Sequence, residues 1–173
     1  MQIYLKAAKA TIPCLGGADN DTRLGGAGDD SLDGGSGHDH LASGQNNDWL
    51  DGGNGNDTLY GDNGDDTLGG GAGRDWLYGG AENDVFLWRS ESELSTGSAR
   101  DIIADFEMGD LIGLQVFGLT FIGIERFTAT GVAELQFNPN NSQLQIDLDG
   151  NGTNNYQIML LNVATFDGSA LIL

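Results

Sequence analysis

Eight aspartates stand nine residues apart: Asp21, Asp30, Asp39, Asp48, Asp57, Asp66, Asp75 and Asp84. Carboxylates at a fixed phase are oxygen donors for a hard cation. Ca²⁺ suits them because it accepts six to eight oxygens, backbone carbonyls included, in flexible geometry. Mg²⁺ fits less well, since it demands a near-octahedral shell and keeps its waters. Other metal chemistry lacks its residues: Cys14 is the single cysteine, and no His-Glu-x-x-His occurs. His38 and His40 read as surface histidines of one repeat. No nucleophile–base pair presents itself, so a non-catalytic module is expected rather than an enzyme.

A glycine-rich frame surrounds each aspartate, cleanest in Gly52-Gly53-Asn54-Gly55-Asn56-Asp57-Thr58-Leu59-Tyr60. Glycine dominates positions one, two and four, where it supplies backbone conformations closed to other residues. Six residues such as Gly52–Asp57 therefore form a turn, and Thr58-Leu59-Tyr60 a short strand with Leu59 inward. A glycine–aspartate nonapeptide of this form is an established mark of calcium-binding parallel β-helices. Two nonapeptides complete a coil of 18 residues, and successive coils pair as parallel strands about 4.8 Å apart.

That stacking puts Asp21, Asp39, Asp57 and Asp75 on one edge and Asp30, Asp48, Asp66 and Asp84 on the other. Bare carboxylates at this spacing repel, and a cation between neighbouring coils turns the repulsion into coordination. Up to six Ca²⁺ sites follow, at 21/39, 39/57 and 57/75 on one edge and 30/48, 48/66 and 66/84 on the other. Backbone carbonyls of Gly26, Gly28, Gly35, Gly37, Gly53, Gly55, Gly64, Gly71 and Gly73 are the expected additional ligands. Six ions would take the formal net charge from −19 to roughly −7.

The inward positions hold Leu32, Leu41, Leu50, Leu59, Leu68, Leu77 and Phe86. One apolar residue per repeat is a thin core against the chain entropy of so glycine-rich a segment. Metal must supply the remainder, so folding is expected to depend on calcium. The copies differ. The first has Arg23 inward and Asp19 at a glycine position, and its end is expected to fray. Ser43, Asn46, Asp62 and Glu82 replace glycines in later copies, and 39/57, 57/75, 48/66 and 66/84 read as the strongest junctions.

The repeat fills residues 16–87, after a leader of residues 1–15. From Trp88 to Leu173 the pattern changes to alternating apolar segments. Residues 102–106, 111–117, 119–124, 132–137, 144–148, 156–161 and 171–173 read as strands, and no segment carries a helical period. The expected fold is all-β: a parallel β-roll, that is a calcium-stacked right-handed β-helix, followed by a β-rich C-terminal cap. Lys and Arg total 7 against 26 Asp and Glu, so there is no basic patch for nucleic acid. No apolar run is long enough to span a membrane, and those of the leader are too short for a signal-peptide core.

Smaller constellations keep two readings each. Asp101, Asp105 and Asp110 either add a metal where roll meets cap or have a solvated or capping role. Asp147-x-Asp149-x-Asn151-Gly152 copies the opening of an EF-hand loop, but its twelfth position is Ile158, and a polar hairpin turn is the alternative. His40, Tyr60, Trp76 and Tyr78 share one outer face, where rings either stack on a sugar ligand or form a packing surface.

The nonapeptides resemble those of the RTX family of secreted bacterial proteins, Gly-Gly-x-Gly-x-Asp-x-(large apolar)-x. The tail is similar to the C-terminal regions of serralysin-type proteases and bacterial mannuronan C5-epimerases. Phe86, Glu91-Ser92, Arg100–Phe106, Gly109–Ile112 and Gln143–Leu161 carry that similarity. Gly113 and Asn155 stand where those families usually have aspartate. The terminus, Phe166–Leu173, resembles their uncleaved C-terminal signal for the type I secretion machinery, a final strand being the plainer reading. The resemblance implies an extracellular module that folds on calcium after export and stabilises, or assists secretion of, a partner such as an N-terminal catalytic domain. It also implies an alternative, a module for an alginate-like polysaccharide, with Arg74, Arg89 and Arg100 offsetting the acidic charge.

Overall fold

The computed structural model describes residues 4–6, 13–14, 16–114, 120–121, 134–147, 153, 155–161, 163 and 171–172. Glycine turns reverse the chain at each repeat, so its short strands alternate between two sheets. In chain order these are β1 (Tyr4–Lys6), β2 (Pro13–Cys14), β3 (Thr22–Ala27), β4 (Ser31–Asp33), β5 (His40–Gln45), β6 (Trp49–Asp51), β7 (Thr58–Asn63), β8 (Thr67–Gly69), β9 (Trp76–Ala81) and β10 (Val85–Trp88). The tail adds β11 (Asp101–Ile103), β12 (Leu111–Leu114), β13 (Thr120–Phe121), β14 (Glu134–Asn138), β15 (Gln143–Asp147), β16 (Tyr156–Leu160) and β17 (Leu171–Ile172). One sheet runs β1-β3-β5-β7-β9-β11-β16-β15-β14-β13 and the other β17-β12-β10-β8-β6-β4-β2. The chain is all-β, with parallel sheets wound into a solenoid. Among the described residues the only helical turns are the short 3-10 segments Glu91–Glu93 and Gly97–Ala99. No described helix is long and apolar enough to cross a membrane.

Registers follow the 18-residue coil, with Leu41 opposite Leu59 and Leu59 opposite Leu77 in one sheet. Leu32 faces Leu50 and Leu50 faces Leu68 in the other. These leucines are buried, and Phe86, Ile103, Ile112, Phe137, Leu144, Ile146, Ile158 and Leu160 continue the same core into the tail. The three-residue strand expected for every repeat holds for β4, β6 and β8 of the second sheet, β10 running one residue longer. In the first, β3, β5, β7 and β9 run on for six residues, and their pairing skips Gly25, Ser43, Gly61 and Gly79 at a corner.

Both ends depart from the sequence expectation. The leader carries no glycine frame, yet Tyr4 pairs with Thr22 and Pro13 with Ser31, so it extends the same register. The first copy is therefore flanked by strands on both sides instead of fraying. Its Arg23 is buried, and Nη2 lies 2.9 Å from Asp21 Oδ2. At the other end β11 lies on β9 with Ile102 opposite Trp76, and β12 lies on β10 with Leu111 opposite Val85. The offset there is 26 residues, because the segment after β10 makes an excursion before the coil resumes. Strand β11 stops at Ile103, short of Phe106, since the Asp105 carboxylate turns back to accept the N–H groups of Gly79 and Gly80. The tail hairpin is antiparallel, Ile146 pairing with Tyr156. The readings over 115–117, 119, 122–124, 132–133 and 173 lie outside the described residues.

Candidate metal centre

A ladder of aspartates climbs each edge of the roll. Each backbone N–H donates to Oδ1 of the aspartate one coil further on. The distances are 2.7 Å for Asp21 to Asp39, 2.8 Å for Asp39 to Asp57 and 2.8 Å for Asp57 to Asp75. On the other edge they are 2.6 Å for Asp30 to Asp48, 2.7 Å for Asp48 to Asp66 and 2.9 Å for Asp66 to Asp84. All eight aspartates are buried. The second oxygen, Oδ2, of Asp30, Asp39, Asp48, Asp57, Asp66, Asp75 and Asp84 is buried without a hydrogen-bond partner. An orphaned carboxylate oxygen is costly to bury, and seven in register call for a compensating charge.

The space around these oxygens is built by the first glycine of each repeat. A Cβ on Gly25 would lie 2.5 Å from Ser43 O and 2.8 Å from Asp30 Oδ2. The same two oxygens, a carbonyl one coil on and the repeat's own Oδ2, crowd the corresponding point at Gly34, Gly52 and Gly61. Position one is thus glycine for room, its φ being unexceptional. Positions two and four are glycine for conformation: Gly26, Gly28, Gly35, Gly37, Gly53, Gly55, Gly64, Gly71 and Gly73 all have positive φ. Asn46, Asp62 and Glu82 take the same left-handed φ, at 78°, 72° and 82°, so these substitutions keep the turn.

Besides the carbonyls at positions two and four nominated from the sequence, those at position one lie beside Oδ2. Gly35 O and Gly53 O each already accept a backbone N–H, from Asn54 and Ala72. Position one is glycine in seven of eight copies, although a turn needs only two left-handed residues. Ser43 is the exception, and its buried hydroxyl donates to Gly61 O at 2.9 Å.

These residues fit a calcium ion. Among the described residues no group of three or more His, Cys, Asp or Glu side chains converges, so a site must draw on carbonyls as well as carboxylates. That all-oxygen donor set suits a hard cation. Burial, reinforced by the neighbouring carboxylates, pushes the carboxyls of Asp57, Asp66 and Asp75 up to about 7 and that of Asp84 to about 6. Asp30, Asp39 and Asp48 move upward for the same first reason. A bound cation reverses this logic by stabilising the ionised form.

The tail aspartates join the ladder differently. Asp101 accepts the Asp75 N–H at 2.9 Å on Oδ1 and the Trp88 indole N–H at 2.8 Å on Oδ2. Asp110 accepts the N–H groups of Asp84 at 3.1 Å and Glu107 at 2.8 Å. Asp105 takes those of Gly79 at 3.0 Å and Gly80 at 3.1 Å. In all three, protein donors hold both oxygens. Asp147 is buried in β15 opposite Glu134, whereas Asp149 and Asn151 lie outside the described residues.

The aromatic face is assembled as the register requires. Tyr60 and Tyr78 stack at 4.6 Å, His40 meets Tyr60 edge-on at 5.2 Å, and Trp76 lies 6.4 Å from Tyr78. Arg74 sits 5.9 Å from the Trp76 ring centre, beside a pocket of about 240 Å³ lined by Arg74, Ser98, Arg100 and Ile102. Arg89 instead lies over Trp49 on the opposite sheet and pairs with Asp51 at 2.7 Å.

Residues 15–50, 43–76 and 60–87 match the family model of the RTX calcium-binding nonapeptide repeat, a four-copy unit. The solution structure of the AlgE6R2 subunit of the Azotobacter vinelandii mannuronan C5-epimerase is similar in fold. It covers 94% of this chain and 92% of that one at 21% identity, with a TM-score of 0.53. No curated protein matches the chain significantly. The aspartate ladder between residues 15 and 87 therefore matches the RTX calcium-binding nonapeptide repeat and is wound as a parallel β-roll.

Proposed function

We propose that this chain is a calcium-folded module of a secreted bacterial protein, with no reaction of its own. The observation that carries the reading is the row of seven buried, unpartnered Oδ2 atoms, six of them beside a position-one glycine. Without a cation, closing the coils desolvates neighbouring carboxylates together. With calcium between coils, the same carboxylates hold the roll shut. In a low-calcium cell interior the acidic chain would stay open and be threaded out by type I secretion machinery. Outside, calcium would close it against a partner domain, an N-terminal catalytic domain being the fitting case. Circular dichroism in chelator and in millimolar calcium tests the proposal. A strong β signal in chelator at neutral pH would refute it.

A second reading is favoured by the stack of Tyr60, Tyr78 and Trp76 beside Arg74 and Arg100. Aromatic faces suit sugar rings, and a guanidinium fork suits a carboxylate. An acidic polysaccharide such as alginate is the matching ligand, consistent with a fold neighbour taken from a mannuronan epimerase. Retention on alginate gel tests it. Trp76→Ala with Tyr78→Ala that leaves both folding and retention unchanged would remove it.

A further inference from the structure

The open oxygens stop short of the N-terminal end of the ladder. Asp21 Oδ2 accepts from Arg23 Nη2 at 2.9 Å, and both side chains are buried. Arg23 occupies the inward position that Leu41, Leu59 and Leu77 fill in the coils stacked above it. A guanidinium inside an apolar lumen is tolerated only with a compensating anion. Here that anion includes the carboxylate that begins the metal ladder.

Position one of the first repeat is also crowded differently. At Gly25, Gly34, Gly52 and Gly61, a would-be Cβ meets the Oδ2 of its own repeat. At Gly16 the three nearest atoms are all backbone, from Gly34 and Gly35. The C-terminal end shows the same economy by other means, where Trp88 and Glu107 N–H groups occupy Asp101 and Asp110.

We infer that Arg23 is a resident cation that takes the place of calcium at junction 21/39, so that Asp21 is not a metal ligand. The metal-binding run then begins at Asp30, and the first coil closes on a charge that neither dissociates nor depends on calcium concentration. This inference rests on the calcium reading above.

Calcium stoichiometry of the whole chain, measured by equilibrium dialysis with circular dichroism as the folding control, tests it. Asp21→Asn is expected to bind as many ions as wild type, whereas Asp57→Asn binds one fewer. Arg23→Leu installs the residue the other coils carry and frees Asp21, so it is expected to bind one more. A folded Arg23→Leu that gains no ion, or an Asp21→Asn that loses one, would overturn the inference while leaving calcium binding intact. Should Arg23→Leu fail to fold in calcium, the count for Asp21→Asn decides alone. A wild type that binds no calcium would overturn the calcium reading and this inference with it.

Discussion

Asp57→Asn separates the two roles of a ladder carboxylate. Asp57 is buried, its Oδ1 accepts the Asp39 N–H at 2.8 Å, and its Oδ2 has no partner. Asparagine keeps the size and the Oδ1 acceptor, and its amide N–H faces Gly70 O, which shares the cradle with Oδ2. Burial holds the Asp57 carboxyl at about 7, against an ordinary value of 3.8. Closing the coil around the ionised form at neutral pH therefore costs roughly 2–4 kcal/mol, which asparagine avoids. In chelator the variant should be more folded than wild type by about that amount. In calcium the sign reverses, because junction 57/75 loses one of its two carboxylates and with it one ion. Paired urea melts in chelator and in millimolar calcium, followed by circular dichroism, read both effects. A variant destabilised in both conditions, or in neither, would refute the account of a carboxylate that opposes closure until a cation arrives.

The carboxyls of Asp57, Asp66, Asp75 and Asp84 are raised above their unfolded value of 3.8, to about 7 or 6. Their contribution to the calcium-free roll is complete below the unfolded value and is lost as pH rises through 6 to 7. Acidifying the chelated protein from neutrality should therefore increase its β signal, while in calcium the same acidification should raise the calcium midpoint as protons compete. Trp88→Phe removes the indole donor from buried Asp101 and is expected to cost about 1–3 kcal/mol, equally in chelator and in calcium, by urea melts. Gly52→Ala drives a Cβ against Asp57 Oδ2 and should abolish one ion from the dialysis count. Gly28→Ala meets nothing within 4 Å at its φ of +109°, so it should cost about 1–2 kcal/mol and leave the count unchanged.

Much of this architecture was readable from nine-residue spacing. Leu59 inward, Asp57 at the turn and Thr58 outward follow from side-chain alternation in a short strand, and the register of β5, β7 and β9 follows from the repeat length. The leader escaped detection because β1 and β2 pair with the roll from a segment that contains neither glycine nor aspartate. Asp101 and Asp110 escaped because the excursion after Trp88 breaks the count, although the two aspartates are again nine apart. Arg23 was half legible: it stands two residues after Asp21, close enough for the ion pair the structure shows.

By itself the sequence determined the coil, the two edges and the inward row. A strict period with one apolar residue and one carboxylate per unit has a single way of stacking that buries the first and aligns the second. Only the tertiary structure decided which carboxylate oxygens remain open to a cation. That depends on donors brought in from elsewhere, Trp88 and Glu107 at one end and Arg23 at the other, and on whether a Cβ is absent beside Oδ2. A hydrogen bond or a missing methyl group one coil away has no fixed distance along the chain, so the period alone cannot report it.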